Sequence, residues 1–158
     1  MKEIKLTQGK VALVDDSDFE WLNRSNWYFN NGYAVRNRWN STTEKQETMR
    51  MHRFILKPSN GFEVDHINHN GLDNQRSNIR IVTSRQNQMN SLIRKDNNSG
   101  CKGVSWYKSQ NKWRACIMLK GKQKFLGYYS TIKEAATAYN QASVTYYGNF
   151  GFRNDLSV

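Results

Sequence analysis

The sequence predicts an α+β chain with a β-rich N-terminal platform, a strand–strand–helix unit, and a three-stranded antiparallel sheet packed on one helix. Three observations indicate this class. Short runs of alternating apolar and polar residues, separated by Gly and Asn turns, recur through residues 1–50. Residues 62–93 show a strand–loop–strand–helix pattern. A longer segment after residue 131 carries apolar residues at helical spacing.

Composition points to a polyanionic partner. The 158 residues include 24 Lys or Arg and 13 Asp or Glu, which gives a formal net charge of +11. Nucleic acid fits this excess better than a membrane surface, because we find neither a basic amphipathic helix nor a lipidation signal. The two cysteines, Cys101 and Cys116, lack zinc-ligand spacing and favour a reducing compartment. With no signal-peptide pattern and no apolar run of membrane-spanning length, we expect an intracellular protein.

The platform, residues 1–50, is predicted to consist of short hairpins. Apolar residues alternate on both sides of the Gln8-Gly9 turn, and a second pair of strands flanks Asn30-Asn31-Gly32. Between the two hairpins, the acidic cluster at residues 15–18 can cap a short helical turn that ends near Leu22. Residues 40–47 are polar and are predicted to be a loop.

The strand–strand–helix unit begins after a brief helix predicted over residues 52–57. A strand over residues 62–64 leads into Asp65-His66. Neighbouring side chains of a regular strand point to opposite faces, so we expect these two residues to share a site only where the strand breaks into the Asn-rich loop that follows. Residues 80–82 predict a returning strand.

A second helix is predicted from the capping pattern of Thr83 and Gln86, ending near residue 92 or 93, with Asn87 close to its first turn. The whole unit has only about thirty residues, too few for an independent core, so we expect its packing to come from the platform.

The composition changes after residues 94–100, which are polar and predict a linker. Residues 100–158 hold nine basic and two acidic residues, whereas residues 1–99 hold fifteen and eleven. Strands are predicted over residues 102–107, 112–119 and 123–128, and a helix starts at the capping box of Thr131 and Glu134. In the second strand we expect residues 113, 115, 117 and 119 to face the helix and residues 114, 116, 118 and 120 to be exposed.

The predicted domains follow from these boundaries. The first covers residues 1–93 and consists of the platform at 1–50 and a core at 51–93. Residues 94–100 form the linker, and residues 101–154 form the second domain.

Asp65, His66 and Asn87 form a minimal set for phosphodiester hydrolysis. A neutral imidazole can take a proton from water. Mg²⁺ prefers oxygen ligands and keeps several waters, so one carboxylate, one amide oxygen and the substrate phosphate suffice to hold it. We therefore expect one divalent ion, Mg²⁺ or Mn²⁺, in each active site.

Asp65-His66, Asn78 and Asn87 resemble the HNH nuclease motif in the form whose last position is Asn. The wider context, from Met51-His52-Arg53 to Asn87, resembles homing endonucleases of phages and mobile introns. The resemblance implies a ββα-metal fold with His66 as general base, Asp65 and Asn87 as metal ligands, and Asn78 as a brace for the loop. If a phage encodes the chain, its location is the cytoplasm of a bacterial host.

The C-terminal piece is similar to the DNA-binding domain of plant ethylene-response factors of the AP-two type. The matching residues are Lys102-Gly103-Val104, Lys112-Trp113, Leu126-Gly127-Tyr128, Glu134-Ala135-Ala136 and Ala138-Tyr139. The similarity implies a sheet that lies in the major groove and contacts bases from its exposed face. Ser105, Tyr107 and Met118 stand where the plant domains carry arginine, so we expect weaker base discrimination.

The predicted partner is double-stranded DNA, and no membrane is expected to take part. The protein is expected to bind DNA as a monomer or as a homodimer. The side chains predicted to contact DNA are Arg76, Arg80, Arg85, Lys102, Ser105, Tyr107, Lys108, Arg114, Met118, Lys120, Gln123, Lys124 and Phe125. A monomer with one active site should nick one DNA strand. A double-strand break would need a dimer or a second binding event.

Several alternatives stay open. His69 suits a loop hydrogen-bonder better than the base, and His52 is either a packing residue or a support for the site. The main hypothesis is a homing endonuclease. Its rivals are a DNA-binding regulator with an inactive nuclease fold and a restriction-type or defence nuclease.

Overall fold

The computed structural model describes residues 1–157, which contain ten strands in four small antiparallel sheets and four α-helices. The predicted α+β class is confirmed. The chain divides into two compact units, the first covering Met1–Ser84 and the second beginning at Arg85. No helix within residues 1–157 is long and apolar enough to cross a membrane.

The platform of the first unit begins with the predicted hairpin and helix. Strands β1 (Lys2–Lys5) and β2 (Val11–Val14) pair antiparallel, and α1 (Asp16–Leu22) follows directly. Asp15 occupies the N-cap position of α1, and two further acidic residues stand in its first turn, where the positive end of the helix dipole stabilises them.

The second sheet has the order β3 (Tyr28–Asn30), β4 (Tyr33–Asn40) and β5 (Lys45–Arg50). The predicted hairpin between β3 and β4 is confirmed. Its turn uses Asn31 and Gly32 with φ of 46° and 84°, the left-handed values that Asn and Gly tolerate best.

The predicted loop over residues 40–47 is wrong, because β4 runs to Asn40 and β5 starts at Lys45. Polar cross-strand contacts stabilise this hairpin: Asn40 Nδ2 donates to Glu47 Oε1 over 2.6 Å, and Arg38 lies 3.7 Å from the same carboxylate. Most of its side chains are exposed. Without an apolar face, such a hairpin shows no hydrophobic alternation from which strands could be predicted.

The first unit ends with α2 (Met51–Leu56), β6 (Phe62–His66) and β7 (Ile79–Thr83). Strands β6 and β7 pair antiparallel, as expected. Val64 from β6 and Ile79 from β7 belong to the same buried cluster as the platform core, which also contains Ile4, Val14, Leu22 and Met51. This burial provides the packing that the short β6–β7 hairpin lacks by itself, at about 2 kcal/mol for each large apolar side chain.

Helix α3 (Ser84–Asn90) is shorter than predicted. Its last carbonyls are taken by partners elsewhere in the second unit: Met89 O accepts from Lys102 Nζ at 3.1 Å and from the Phe152 amide at 3.2 Å. Acceptors used in this way close a helix end rather than extend it. The capping box predicted at Thr83 and Gln86 stays a prediction.

The second unit contains a three-stranded sheet in the order β10-β9-β8, formed by β8 (Val104–Tyr107), β9 (Lys112–Leu119) and β10 (Lys122–Tyr129). Helix α4 (Ile132–Tyr147) follows it. The predicted capping box at its start is confirmed, since Thr131 Oγ1 accepts from the Glu134 amide and Glu134 Oε2 accepts from the Thr131 amide.

The helix-facing side of the second sheet matches the prediction. Ala115 and Ile117 of β9 are buried in clusters with small or aromatic residues of α4, including Ala135 and Tyr139. Gly103 allows this close approach: its φ is 75°, and a Cβ there would overlap the Tyr139 ring. Cys116, predicted to be exposed on the opposite side, is instead 7 % exposed.

Candidate functional site

Strand β6 carries the two residues at the centre of the predicted site. Asp65 and His66 both lie inside the strand, paired with Arg80 and Ile79 of β7. The strand is therefore two residues longer than the predicted 62–64, and the Asn-rich loop follows it as expected. The chain leaves the strand only after His66, because Ile79 still pairs with that residue and the loop is stabilised from other elements.

Asp65 is a buried carboxylate with a cationic neighbour. Its side chain is 7 % exposed, and its Oδ2 accepts from Arg80 Nη2 at 2.7 Å and from Nε at 3.0 Å. Paired residues of an antiparallel ladder project from the same face, which places the guanidinium beside the carboxylate. The ion pair compensates for burying the charge of Asp65.

His66 is buried and oriented by Asn74. Its Nε2 lies 3.5 Å from Asn74 Oδ1. Asn74 is fully buried, and its Nδ2 donates to Leu72 O at 3.1 Å, which turns its oxygen toward the imidazole. An amide oxygen only accepts, so this arrangement favours a proton on His66 Nε2. Asn74 is not among the residues predicted for the site, and no spacing in the chain identifies it as the partner of His66.

Two further rings surround His66. The His52 ring meets it edge to face with centroids 4.7 Å apart, and the Tyr33 ring lies 5.9 Å away. Burial lowers the pKa of His66, although the hydrogen bond that it donates to Asn74 and the charge of Asp65 oppose that shift. Burial also lowers the pKa of His52 to about 3, and nearby positive charge adds to the effect. Both imidazoles are therefore neutral at pH 7.

The loop between β6 and β7 is held by its own amides and by β2. Asn78 is buried. Its Oδ1 accepts from the Asn68 amide at 3.0 Å and its Nδ2 donates to Asp73 O at 2.8 Å. The Leu13 amide donates to Leu72 O, and Leu13 O accepts from the Asn74 amide, both at 2.8 Å. These bonds fix the loop that carries the partner of His66.

Arg76, predicted to contact DNA, is bound within its own unit. Its Nε lies 2.7 Å from Asp18 Oδ2, its Nη2 lies 2.9 Å from Oδ1, and its amide donates to Asp15 Oδ2. The Asp18 carboxylate raises the pKa of Arg76. Arg80 is likewise bound to Asp65. DNA contacts from these two arginines stay predictions, and both already have a structural partner.

Asn87 and Arg85 lie on α3, in the second unit. The metal-ligand role of Asn87 stays a prediction. Lys102, predicted to contact DNA, is half-buried and bound within the second unit. Its ammonium donates to Met89 O, Ser91 O and Ser91 Oγ and lies 5.1 Å from the Phe152 ring. Burial lowers the pKa of Lys102 to about 8.

The exposed face of the second sheet brings together part of the predicted DNA-binding set. Ladder pairing places Ser105, Arg114 and Tyr128 in one row, and Met118 and Gln123 in another. Tyr107 stacks on Tyr128 with centroids 5.1 Å apart.

Aromatic and thioether groups dominate this face: Phe125 and Met118 are 52 % and 53 % exposed. Lys124 pairs with helix-facing Ile117, and its Nζ donates to Tyr146 on α4. Lys108 and Lys120 stand in the connections between strands.

Comparison with known proteins decides the family. Residues 56–89 match the sequence model of the HNH endonucleases. The chain is 30 % identical over 156 residues to an uncharacterized HNH endonuclease of Acanthamoeba polyphaga mimivirus, which covers 94 % of this chain and 77 % of that protein. The chain belongs to the HNH endonuclease family.

A second similarity is to Protein 3.8 of Escherichia phage T7, with 38 % identity over 63 residues, 40 % of this chain and 52 % of that protein. No solved structure matches the chain. The matched segment of this HNH endonuclease contains α2's last residue, β6, the loop and β7 with Asp65, His66 and Asn78. The predicted enzyme class, an HNH-type DNA endonuclease, is confirmed.

HNH nucleases generally use a divalent metal ion. The predicted ligands would offer carboxylate and amide oxygens, which are donor types that fit a hydrated hard cation. Residues 1–157 contain no cluster of three or more His, Cys, Asp or Glu side chains placed to hold a metal. Mg²⁺ needs fewer protein ligands, because it retains several waters and accepts carboxylate and amide oxygens. Asp65 is a buried carboxylate of this kind, held by Arg80 through hydrogen bonds to Oδ2.

Proposed function

We propose that this HNH endonuclease hydrolyses DNA phosphodiester bonds with His66 as the general base. The observation that carries the proposal is a buried, neutral imidazole next to the Asp65 carboxylate, on a strand inside the family-matched segment. A general base must be unprotonated at the working pH, and burial of His66 favours that state. Asn78 acts as the brace that keeps the adjoining loop in place.

We infer from the hydrogen bond between His66 and Asn74 which nitrogen of His66 takes the proton from water. With Nε2–H donating to Asn74 Oδ1, the lone pair is on Nδ1. Nδ1 removes a proton from water while the water oxygen forms a bond to phosphorus. The bond from phosphorus to the leaving oxygen breaks, and that oxygen is then protonated by solvent. Asn74 is therefore a positioning residue for the base.

Asp65 and Asn87 are the residues we propose to hold one divalent ion, Mg²⁺ or Mn²⁺. When bound, the ion neutralises charge at the scissile phosphate and stabilises the leaving oxygen. Arg80 keeps the Asp65 carboxylate in a fixed orientation through two hydrogen bonds to Oδ2.

The C-terminal part is proposed as an ethylene-response-factor-like module that binds double-stranded DNA. The proposed domains are residues 1–93 for the nuclease, 94–100 for the linker and 101–154 for the module. Support comes from the basic composition of residues 100–158 and from the three-stranded antiparallel sheet, whose second face carries exposed side chains. Its apolar groups, Met118 and Phe125, suit contact with thymine methyl groups better than hydrogen bonding to guanine.

We further propose a homing role, with nicking by the monomer. One chain carries one copy of the Asp65-His66 motif, so one chain cuts one strand at a time. The relatives are proteins of a virus and a phage, in which mobile nuclease genes have a natural setting.

The test uses supercoiled plasmid that carries the gene's own genomic neighbourhood, incubated with Mg²⁺ or with EDTA. Wild type, His66→Ala and His69→Asn are compared. His69 is the matched control: it lies in the loop that follows β6, three residues after His66, and its φ of 62° is tolerated by Asn. We expect nicked product from wild type and from His69→Asn with Mg²⁺ only, and none from His66→Ala.

Three results would contradict the proposal. Cleavage that survives His66→Ala would remove His66 as the base. If no condition gives cleavage while the protein still shifts DNA, the chain is a DNA-binding protein with an inactive nuclease fold. Cleavage that persists in EDTA would exclude the metal assignment of Asp65.

A further inference from the structure

A groove of about 870 Å³ in the second unit is lined by cationic side chains. Arg85 of α3, Arg94 and Lys120 all line it, and all three are exposed. Among the described residues that line the groove, none is acidic. Cations on a concave surface focus the electrostatic field, so this groove attracts anions more strongly than the same charges on a flat surface would.

Not every lysine of the groove is available to a ligand. The Lys102 ammonium donates to the carbonyls of Met89 and Ser91. Lys102 is half-buried, so its charge is directed to the end of α3 and not to a ligand. Arg94 lies 3.5 Å from Asp96, but both side chains are mostly exposed, and pairs of this kind are worth little in water. Arg85, Arg94 and Lys120 are therefore the cations that a ligand would meet.

The floor of the groove is apolar and continues into the exposed sheet face. Strand β8 pairs with β9 only as far as Ala115, so Ile117 and Met118 lie at an edge of β9 beyond the end of β8. Both residues line the groove, together with Gln123 of β10. The Tyr147 hydroxyl donates to Met118 O, which occupies one acceptor of this edge.

We propose that this groove binds the sugar–phosphate backbone of one DNA strand, with Arg85, Arg94 and Lys120 at phosphates. The apolar floor suits contact with deoxyribose, and the cations beside it suit contact with phosphate. Since Met118 and Gln123 belong both to the groove and to the exposed sheet face, a backbone held there brings its bases toward that face. The inference rests on the proposed DNA binding of the C-terminal part, and it identifies where the backbone lies.

The experiment measures how binding depends on salt. Full-length protein in EDTA, which prevents cleavage, is titrated into a fluorescein-labelled duplex, and the affinity is determined by anisotropy over a series of NaCl concentrations. Each phosphate contact contributes about 0.9 to the slope of log affinity against log salt. The variants are Lys120→Gln, Arg85→Gln, Arg94→Gln and the triple variant. Lys133→Gln, an exposed lysine of α4 outside the groove, is the matched control.

We expect each single variant to reduce the slope by about 1, the triple variant by about 3, and the control to leave it unchanged. Equal thermal melting of all variants verifies folding, as expected for exposed side chains. If wild type binds DNA and the triple variant keeps its slope, the groove inference is wrong, and the open β9 edge would suit a protein strand instead. If wild type itself does not bind DNA, the proposed DNA-binding function fails.

Discussion

Replacing His52 with Phe tests how strongly an uncharged, buried imidazole makes the folded chain sensitive to acid. His52 is 2 % exposed, packs against His66 and Tyr33, and its Nδ1 is buried without a hydrogen-bond partner in the described residues. Burial lowers its pKa to about 3. Phe keeps a flat ring in the same space but cannot titrate.

The sign of the effect follows from the direction of this shift. The unfolded chain takes up a proton on His52 below a pKa of about 6.5, whereas the folded chain does so only near 3. The contribution of His52 to stability is therefore fully present above about pH 6.5 and is lost as the pH falls toward 3. Each pKa unit corresponds to about 1.4 kcal/mol, so the loss at about pH 5 is on the order of 2 kcal/mol.

Urea denaturation of wild type and His52→Phe at about pH 7.5 and about pH 5 measures this difference. We expect the free energy of unfolding of wild type to fall by about 2 kcal/mol more than that of the variant. At neutral pH the variant should be at least as stable, because it removes a buried nitrogen that has no partner. The other titratable groups are present in both proteins, so the difference between the two reports chiefly on His52. An equal loss in both would show that His52 is not held neutral by the fold, and the reasoning would fail.

Three further substitutions test single contacts, each by its effect on the free energy of unfolding. Arg76→Met should cost about 2 kcal/mol, because it leaves the buried Asp18 carboxylate without its ion partner; adding Asp18→Asn should restore most of the loss in urea titrations. Thr131→Ala should cost about 1 kcal/mol by removing the cap of α4, and a melting temperature that does not fall would refute this. Gly103→Ala should cost more than about 2 kcal/mol in calorimetry, because its methyl group would overlap the Tyr139 ring at a positive φ; a near-neutral change would mean that α4 moves away from the sheet easily.

The elements predicted correctly are those whose signals are local. The turn at Asn31-Gly32 and the capping box at Thr131 depend on a few neighbouring residues, and both formed where the sequence placed them. The alternation of apolar and polar residues in β9 is also a local signal, and it predicted which side chains of β9 face the helix. The adjacency of Asp65 and His66 is a local signal too, and their roles in the site stay predictions.

The features missed depend on contacts between distant parts of the chain. Asn74 partners His66 only because β2 holds the loop through the backbone of Leu13, which no local pattern records. The bonds from the Lys102 ammonium to the end of α3 depend on tertiary packing that no local pattern records, and the predicted DNA contact of Lys102 stays a prediction. The exposed β4–β5 hairpin was missed because pairing through polar groups leaves no hydrophobic period.

The bonds from β2 to the loop that follows β6 have a consequence for the order of folding. The backbone of Leu13 forms hydrogen bonds with the backbone of Leu72 and Asn74. The Arg76 amide donates to the Asp15 carboxylate, 61 positions away in the sequence. Contacts of such high contact order form late, because the intervening chain must first be closed into a loop. During synthesis the platform leaves the ribosome before the motif, so it is available as a template when Asp65 and His66 emerge. The matched segment, residues 56–89, is therefore not a portable cassette: a graft that leaves out residues 11–18 would omit the surface on which the loop becomes ordered.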